Sequence, residues 1–461
     1  MKVLFAASEA VPYVKISDLG EVIGGLPKEL HAAGTEAAII LPLYNVIDKK
    51  AWKLKPIFKS KTIRFSHGLK QKKIKFGLYS GHFPGSSLTV YFVENKKILG
   101  GGGISLYKAT PQLHRKEVER FAFFGEAVFA CLRNNLLNFS PDIVHAHDWQ
   151  MGQLVAQIAN GKAQMAKKRG KNQLKNIPGQ AQLPKVVFTV HNISDQGILR
   201  DKNYLKEGIE KADSVTTVSR AHAEEIQTKD LGAGLHRILS KRKPLGIQSG
   251  CDYDLIKNFG GKDAAKLKFQ ENFRLKHGLS RPLFGMVSRL HEGKGTHLAL
   301  AVAPYLVEVF DADLALSGFG EEEFENGLMR LMQRYPENVF VKIGADENLA
   351  HEIYAASDFI LAPHASEPSG TRQITAMRYG AIPIARRIGS FCDIIEHNKT
   401  GVLFDGQNDK AFLGAIEEAL MIFVEEEKLK KMRGLCEVAD FSWKKPASAY
   451  QKLYRRVMSS A

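Results

Sequence analysis

Residues 358–393 read DFILAPHASEPSGTRQITAMRYGAIPIARRIGSFCD, and the way this stretch divides decides the fold. FILAP (359–363) is a short apolar run closed by a proline, which predicts a buried strand. SEPSG (366–370) is polar and glycine-punctuated and predicts a loop. TRQITAMRYG (371–380) has helical character, with Gly380 placed to end the helix. IPIAR (382–386) is a second buried strand, and GSFCD (389–393) is a second loop able to open another helix. A unit of strand, loop, helix, strand and loop builds a parallel sheet, whose ligands gather on the loops at the carboxyl ends of the strands. Glu367 lies on one such loop, and Gly370 and Gly389 allow a ligand close approach to the backbone.

The same pattern recurs upstream. KVLFAA (2–7) predicts a buried strand, VPYVKISDLGEVIGG a polar loop, EVIGGLPKELHAAG (21–34) a helix and AAIILPLY (37–44) the next strand, the order of a nucleotide-binding half-sheet. Lys15 lies in the first loop, where its ammonium could meet a phosphate or be merely solvated. TIRF, IKFGLY and LTVYFV predict short strands between 62 and 93, KILGGGGISLY (97–107) a flexible glycine loop, and ERFAFFGEAVFACLRN (119–134) an apolar helix. DIVHAHDW (142–149) places Asp148 at a strand end, suited to hydrogen-bond a hydroxyl. His145 and His147 share a strand face and could pair as metal ligands, but no third ligand stands nearby, so no metal is expected. VVFTV (186–190) carries His191 and Asn192 at its tip. Two strand tips bearing HD and HN point to a shared cleft.

Residues 243–252 are the expected hinge. FGMVS (284–288) begins a second sheet. Arg289 and Lys294 follow across the loop that opens the helix THLALAVAPYLVEVF (296–310). Two cations beside a helix N-terminus form an anion site; the alternative is a basic surface loop. DADLALSGFG, NVFVKIG and DFILAP supply further strands, and the tail FSWKKPASAYQKLYRRVM (441–458) an amphipathic helix.

The chain has 461 residues, 44% of them hydrophobic, enough for two domains. Its four cysteines are far apart and predict a reducing compartment without a disulfide framework. There is no signal-peptide pattern and no run long enough to cross a bilayer, so a soluble cytoplasmic protein without membrane partners is expected. The net charge of +16 raises nucleic-acid binding, but no recognised motif supports it. We read the lysines as spread over loops and helix faces, densest at AKKRGKNQLK (166–175), and as drawing an anionic ligand.

Taken together, KVLFAASEAVPYVK, GEVIGGLPKELHAAGTEAAIILPLY, VHAHDW, FTVHN with QG, VSRLHEGKG, SEPSG with Gln373, MRYGAIPIARR and the closing FSW resemble the starch/glycogen synthase family of retaining glucosyltransferases, over nearly the whole chain. The resemblance implies an α/β fold of GT-B architecture, with two Rossmann-like doubly wound parallel-sheet domains facing a central cleft. It implies an N-terminal acceptor-side domain over 1–245, a C-terminal donor-side domain over 246–440, and a helix over 441–461 packing back on the first domain. The implied reaction moves glucose from ADP-glucose to the non-reducing end of an α-1,4-glucan such as glycogen, with no cofactor or metal. Lys15 would lie near the donor diphosphate, and Asp148 and His191 near the transferred sugar. Arg289 and Lys294 would stabilise the leaving diphosphate, and Glu367 would hold the sugar. Gly370 and Gly389 fall in the same donor loops.

The chain departs from the family pattern in places. KTGGL is KISDL, placing Ser17 and the anion Asp18 where glycines would stand, and Asp18 would repel a diphosphate. EPCGL is EPSGT, and TGGLAD is IGSFCD with Ser390 for a glycine. HNLAYQG is HNISDQG with Asp195 for an aromatic, and NGVD is SGCD at 249–252. Two readings follow: a working glucosyltransferase, or a diverged, catalytically weak homologue that binds glucan or nucleotide sugar without efficient turnover.

Overall fold

A computed structural model describes residues 1–67, 70–101, 111–170 and 183–460. The later part of the expected glycine loop (97–107) and of the basic stretch 166–175 therefore lies outside the described residues. The chain divides into two units, residues 1–250 with 443–461, and residues 251–442.

The first unit is built on a nine-stranded sheet. Its strands lie in the order Leu245–Gly246, Ser214–Thr217, Lys185–Val190, Ile143–His147, Lys2–Ala6, Glu36–Pro42, Thr89–Glu94, Lys70–His82, Lys55–His67. The first seven run parallel, and the last two fold back as an antiparallel ribbon. The sequence predicted short strands over 62–79; in the structure they are two thirteen-residue partners. The strand Lys2–Ala6 is central, so Val3, Leu4, Phe5 and Ala6 are wholly buried between helical layers, which explains its unbroken apolar run.

Two expectations are corrected here. The first helix begins at Asp18, three residues earlier than predicted, because Ser17 caps it, its hydroxyl accepting from Leu19 N at 3.3 Å. Asp18 and Glu21 then fall in the first turn, where the helix dipole favours acids. The expected hinge at 243–252 is not wholly a linker: Leu245–Gly246 is the edge strand of the first sheet. The last helix, Lys444–Ser459, buries Ala447, Tyr450, Leu453, Tyr454 and Val457 in the core of the first unit.

The second unit holds a six-stranded, all-parallel sheet in the order Val339–Ile343, Asp313–Gly320, Leu283–Leu290, Phe359–Ala362, Ile382–Arg386, Val402–Phe404. The order reverses between Leu283–Leu290 and Phe359–Ala362, a topological switch point, and ligands bind at the carboxyl ends of strands in such a place. Arg289, Lys294 and Glu367 all belong to those two strand ends. The helix Thr371–Arg378 ends as predicted, with Gly380 at φ +72°.

Candidate active site

In the second unit, two strand-end loops are stitched together by backbone. Ala365 N donates to Gly293 O at 2.9 Å. Gly295 has φ +69°, and a Cβ there would stand 2.3 Å from Pro363 O, so the close approach of the loops requires glycine. This brings together residues 73 apart in sequence: Lys294 Nζ lies 2.7 Å from Glu367 Oε2.

Glu367 is 3% exposed. Its Oε2 also meets His364 Nδ1 at 2.8 Å, and its Oε1 accepts from Gly370 N at 3.0 Å. Burial works against its ionisation, but the Lys294 charge and the His364 hydrogen bond outweigh burial and hold the carboxyl well below the usual range. A buried, ionised carboxylate at a strand end is a strong acceptor for sugar hydroxyls. Gly389 has φ +51°, and a Cβ there would lie 2.1 Å from Glu367 O. That carbonyl accepts from Ser390 N at 2.8 Å and from Ser390 Oγ at 3.1 Å. Ser390, where the family pattern has glycine, thus spends its hydroxyl on the backbone of the Glu367 loop.

Arg289 lies at the exposed end of the strand Leu283–Leu290. His291, two residues on, has its pKa pushed down to about 4 by burial and by the charges of Arg289 and Lys294. This loop suits an anion.

In the first unit, the strands Ile143–His147 and Lys185–Val190 pair in parallel, His147 beside Thr189, so their tips emerge together. Asp148 adopts φ 56°, ψ −178°, a backbone region that side-chain-bearing residues rarely occupy. Its Oδ1 accepts from His191 N at 2.6 Å and Asn192 N at 3.3 Å, tying the tips. Burial raises its carboxyl to about 8, against the pull of those two amides. His147 Nδ1 lies 2.9 Å from His191 Nε2. Burial lowers His191 to about 3 and His147 well below its ordinary value, so both are neutral. Among the described residues, His147 Nε2, His191 Nδ1 and Trp149 Nε1 are buried without a hydrogen-bond partner, a set of polar atoms suited to ligand hydroxyls.

The possible metal pairing of His145 with His147 does not arise. His145 is committed on both nitrogens, Nδ1 to Tyr454 OH at 2.8 Å and Nε2 to Thr189 Oγ1 at 2.6 Å. No group of three or more His, Cys, Asp or Glu among the described residues is placed to hold a metal ion.

The first loop is organised around Glu9, a residue the sequence reading passed over. Its Oε2 accepts from Ile16 N at 2.5 Å and Ser17 N at 2.9 Å, and its Oε1 accepts from Ser17 Oγ at 2.6 Å. Burial raises Glu9 to about 7, against those hydrogen bonds. Lys15 Nζ pairs with Glu21 at 2.6 Å. Ser17 has φ −142°, ordinary extended backbone, so this loop does not need the glycine that the family pattern has there. His364 was also passed over; the signal available was a histidine three residues before Glu367 in a loop between strand and helix.

Two α/β units with charged loops at the strand ends are the architecture of a GT-B glycosyltransferase. Residues 2–241 match the family model described as the starch synthase catalytic domain, and residues 268–433 match glycosyl transferases group 1. Glycogen synthases from Geotalea daltonii, Myxococcus xanthus and Bacillus subtilis are 31, 33 and 32% identical, each over 100% of this chain and 99, 100 and 99% of their own. The catalytic domain of starch synthase IV from Arabidopsis thaliana, solved with ADP and acarbose, matches with a TM-score of 0.83 at 26% identity over 99% of both chains. A sucrose-phosphate synthase from Thermosynechococcus elongatus, 18% identical with a TM-score of 0.64, shares the fold. The chain belongs to the starch/glycogen synthase family and is by that membership a glycosyltransferase.

Proposed function

We propose that this protein transfers glucose from ADP-glucose to the non-reducing end of an α-1,4-glucan, with retention of configuration, in the cytoplasm. The observation that carries this reading is the cluster of half-buried Lys294 with buried Glu367 and His364 at the switch point of the second sheet, in a chain that matches glycogen synthases along its full length. When a nucleoside diphosphate departs, negative charge grows on its phosphate oxygens. Arg289 and Lys294 are the fixed cations assigned to that charge, with Lys15 beside the diphosphate. Glu367, held ionised, accepts hydroxyl hydrogens of the transferred sugar, and Gly370 and Gly389 shape its loop. His191 and Asp148 are assigned to sugar hydroxyls, which the unpartnered nitrogens of His147 and His191 support. No metal is needed where fixed cations neutralise the leaving group.

The test is release of nucleoside diphosphate from ADP-glucose, and then from UDP-glucose, with and without glycogen. Glycogen-dependent ADP release is expected. No release from either donor, by folded protein that binds glycogen, would overturn the proposal in favour of a binding protein without turnover.

A further inference from the structure

The charge of this molecule is not spread evenly. The first unit carries 43 Lys and Arg against 20 Asp and Glu, a net +23, and the second carries 22 against 29, a net −7. Within the first unit, residues 49–93 hold eleven Lys and Arg and no Asp or Glu. This stretch contains the antiparallel ribbon Lys55–His67 and Lys70–His82 at the end of the nine-stranded sheet. The ribbon has two unlike faces. Ile63, Phe65, Ile74 and Phe76 pack on the core of the unit. On the other face Thr62 stands opposite Lys75 and Arg64 opposite Lys73, all four exposed. Lys59, Lys61 and Lys72 are exposed as well, Lys61 opposite Phe76 and Lys72 opposite Phe65. Among the described residues, no ion pair involves any of these six cations, whereas Lys49 at the foot of the ribbon pairs with Glu94.

Lysines on an edge strand often guard against chance pairing of sheets. That accounts for Lys59 and Lys61 but not for Lys72, Lys73 and Lys75, which sit on the inner strand and guard no edge. A neutral glucan gains nothing from such a face. Phe58, Phe65, Phe76 and Tyr79 of the ribbon are all at least partly buried, so none of these rings offers an exposed platform on which bases or sugar rings would stack. What it does offer is cations at alternate positions and an edge strand, regular from Lys61 to His67, that pairs on one side only among the described residues. Those seven residues span about 23 Å.

We propose that this ribbon is a docking surface for an extended acidic segment of a partner protein, which adds as a strand along Lys55–His67 and sets its carboxylates against Arg64, Lys73 and Lys75. Backbone pairing supplies the register and charge supplies the selectivity.

The probe is a fluorescein-labelled peptide of twelve residues, alternating Glu and Thr, titrated with the full chain at physiological salt. Two triple variants are compared. One is Arg64→Ser/Lys73→Ser/Lys75→Ser on the ribbon. The other is Lys229→Ser/Arg237→Ser/Lys241→Ser, which removes the same charge from exposed positions elsewhere in the first unit. We expect the ribbon variant to weaken binding by about tenfold or more and the control by about twofold or less. A peptide N-methylated at alternate amides is expected to bind about fivefold more weakly or worse. Glucosyl transfer by the ribbon variant should equal that of the parent. Absence of peptide binding, equal losses in the two variants, or undiminished binding of the methylated peptide would each overturn the proposal. So would tighter binding of a DNA duplex than of the peptide, or a doubling of mass showing that a second copy of this chain takes the surface.

Discussion

The carboxylate of Glu367 is buried and still ionised, and Lys294 and His364 are the reason. Lys294→Ala removes a cation assigned to the leaving group and leaves Glu367 with His364 and the Gly370 amide. We expect turnover to fall about tenfold or more, and likewise for Arg289→Ala, since an aligned charge contact contributes several kcal/mol to a transition state. Parental turnover in both variants would remove the assignment. Glu9 presents the opposite case. Its pKa is raised from 4.5 to about 7, so through this window the folded protein keeps a proton that the unfolded chain has released. Stability from this group is therefore present at low pH and is lost as pH rises towards 7. Glu9→Gln mimics the protonated acid: its amide oxygen can accept from Ile16 N and Ser17 N while its NH2 faces the Ser17 hydroxyl, and it does not titrate. Its stability relative to the parent should therefore rise as pH goes from 5 to 7. Chemical denaturation across that range reads the difference, and a constant gap would contradict the raised pKa.

At the scale of elements, the second unit is pinned by an ion cluster under its sheet. Asp358, fully buried at the start of the strand Phe359–Ala362, accepts from Lys266 Nζ at 2.7 Å and from Leu283 N at 2.8 Å, and it pairs with Arg433. It thereby joins the helices Lys262–Asn272 and Glu426–Val438 to two strands. Asp358→Ala would strand two cations, and we expect the unfolding transition of this unit to lose about 3–5 kcal/mol. A loss below about 1 kcal/mol, the scale of an exposed pair, would show that the cluster is solvated. The loop that follows depends on Gly389. Gly389→Ala places a methyl against the carbonyl of Glu367 at a positive φ, and the loop must move. We expect a loss of roughly 2 kcal/mol or more and a fall in turnover together. Unchanged turnover would separate that loop from the chemistry.

At the scale of the molecule, the last helix completes a core begun at residue 2. Trp443 lies against Gly25 and Gly250, where a Cβ would come within 2.0 and 2.8 Å of the indole, and Tyr454 meets His145. Tyr454→Phe leaves a buried imidazole nitrogen unpaired, and we expect the first unit to lose about 1–3 kcal/mol, read from its denaturant midpoint. No change would mean that another partner reaches His145. Much of this architecture is legible in the residues. KVLFAA, VVFTV, FILAP and IPIAR announce themselves because a strand buried on both faces is an unbroken apolar run of few residues. The helix over 371–378 is legible because Gly380 ends it. The loop that carries Arg289 and Lys294 is legible because an apolar run ends before it and a helical pattern begins after it. The start of the first helix was misplaced because its cap, Ser17, stands in a glycine-bearing stretch that reads as loop. Periodicity reports local burial and says nothing of which distant groups meet. So the pairing of Lys294 with Glu367, the histidine beside it, the hold of Glu9 on the first loop and the commitment of His145 to Tyr454 were decided only by tertiary structure. The same holds for the concentration of charge on one ribbon: the cations are countable in the sequence, but only the pairing of two strands puts Arg64, Lys73 and Lys75 on one face.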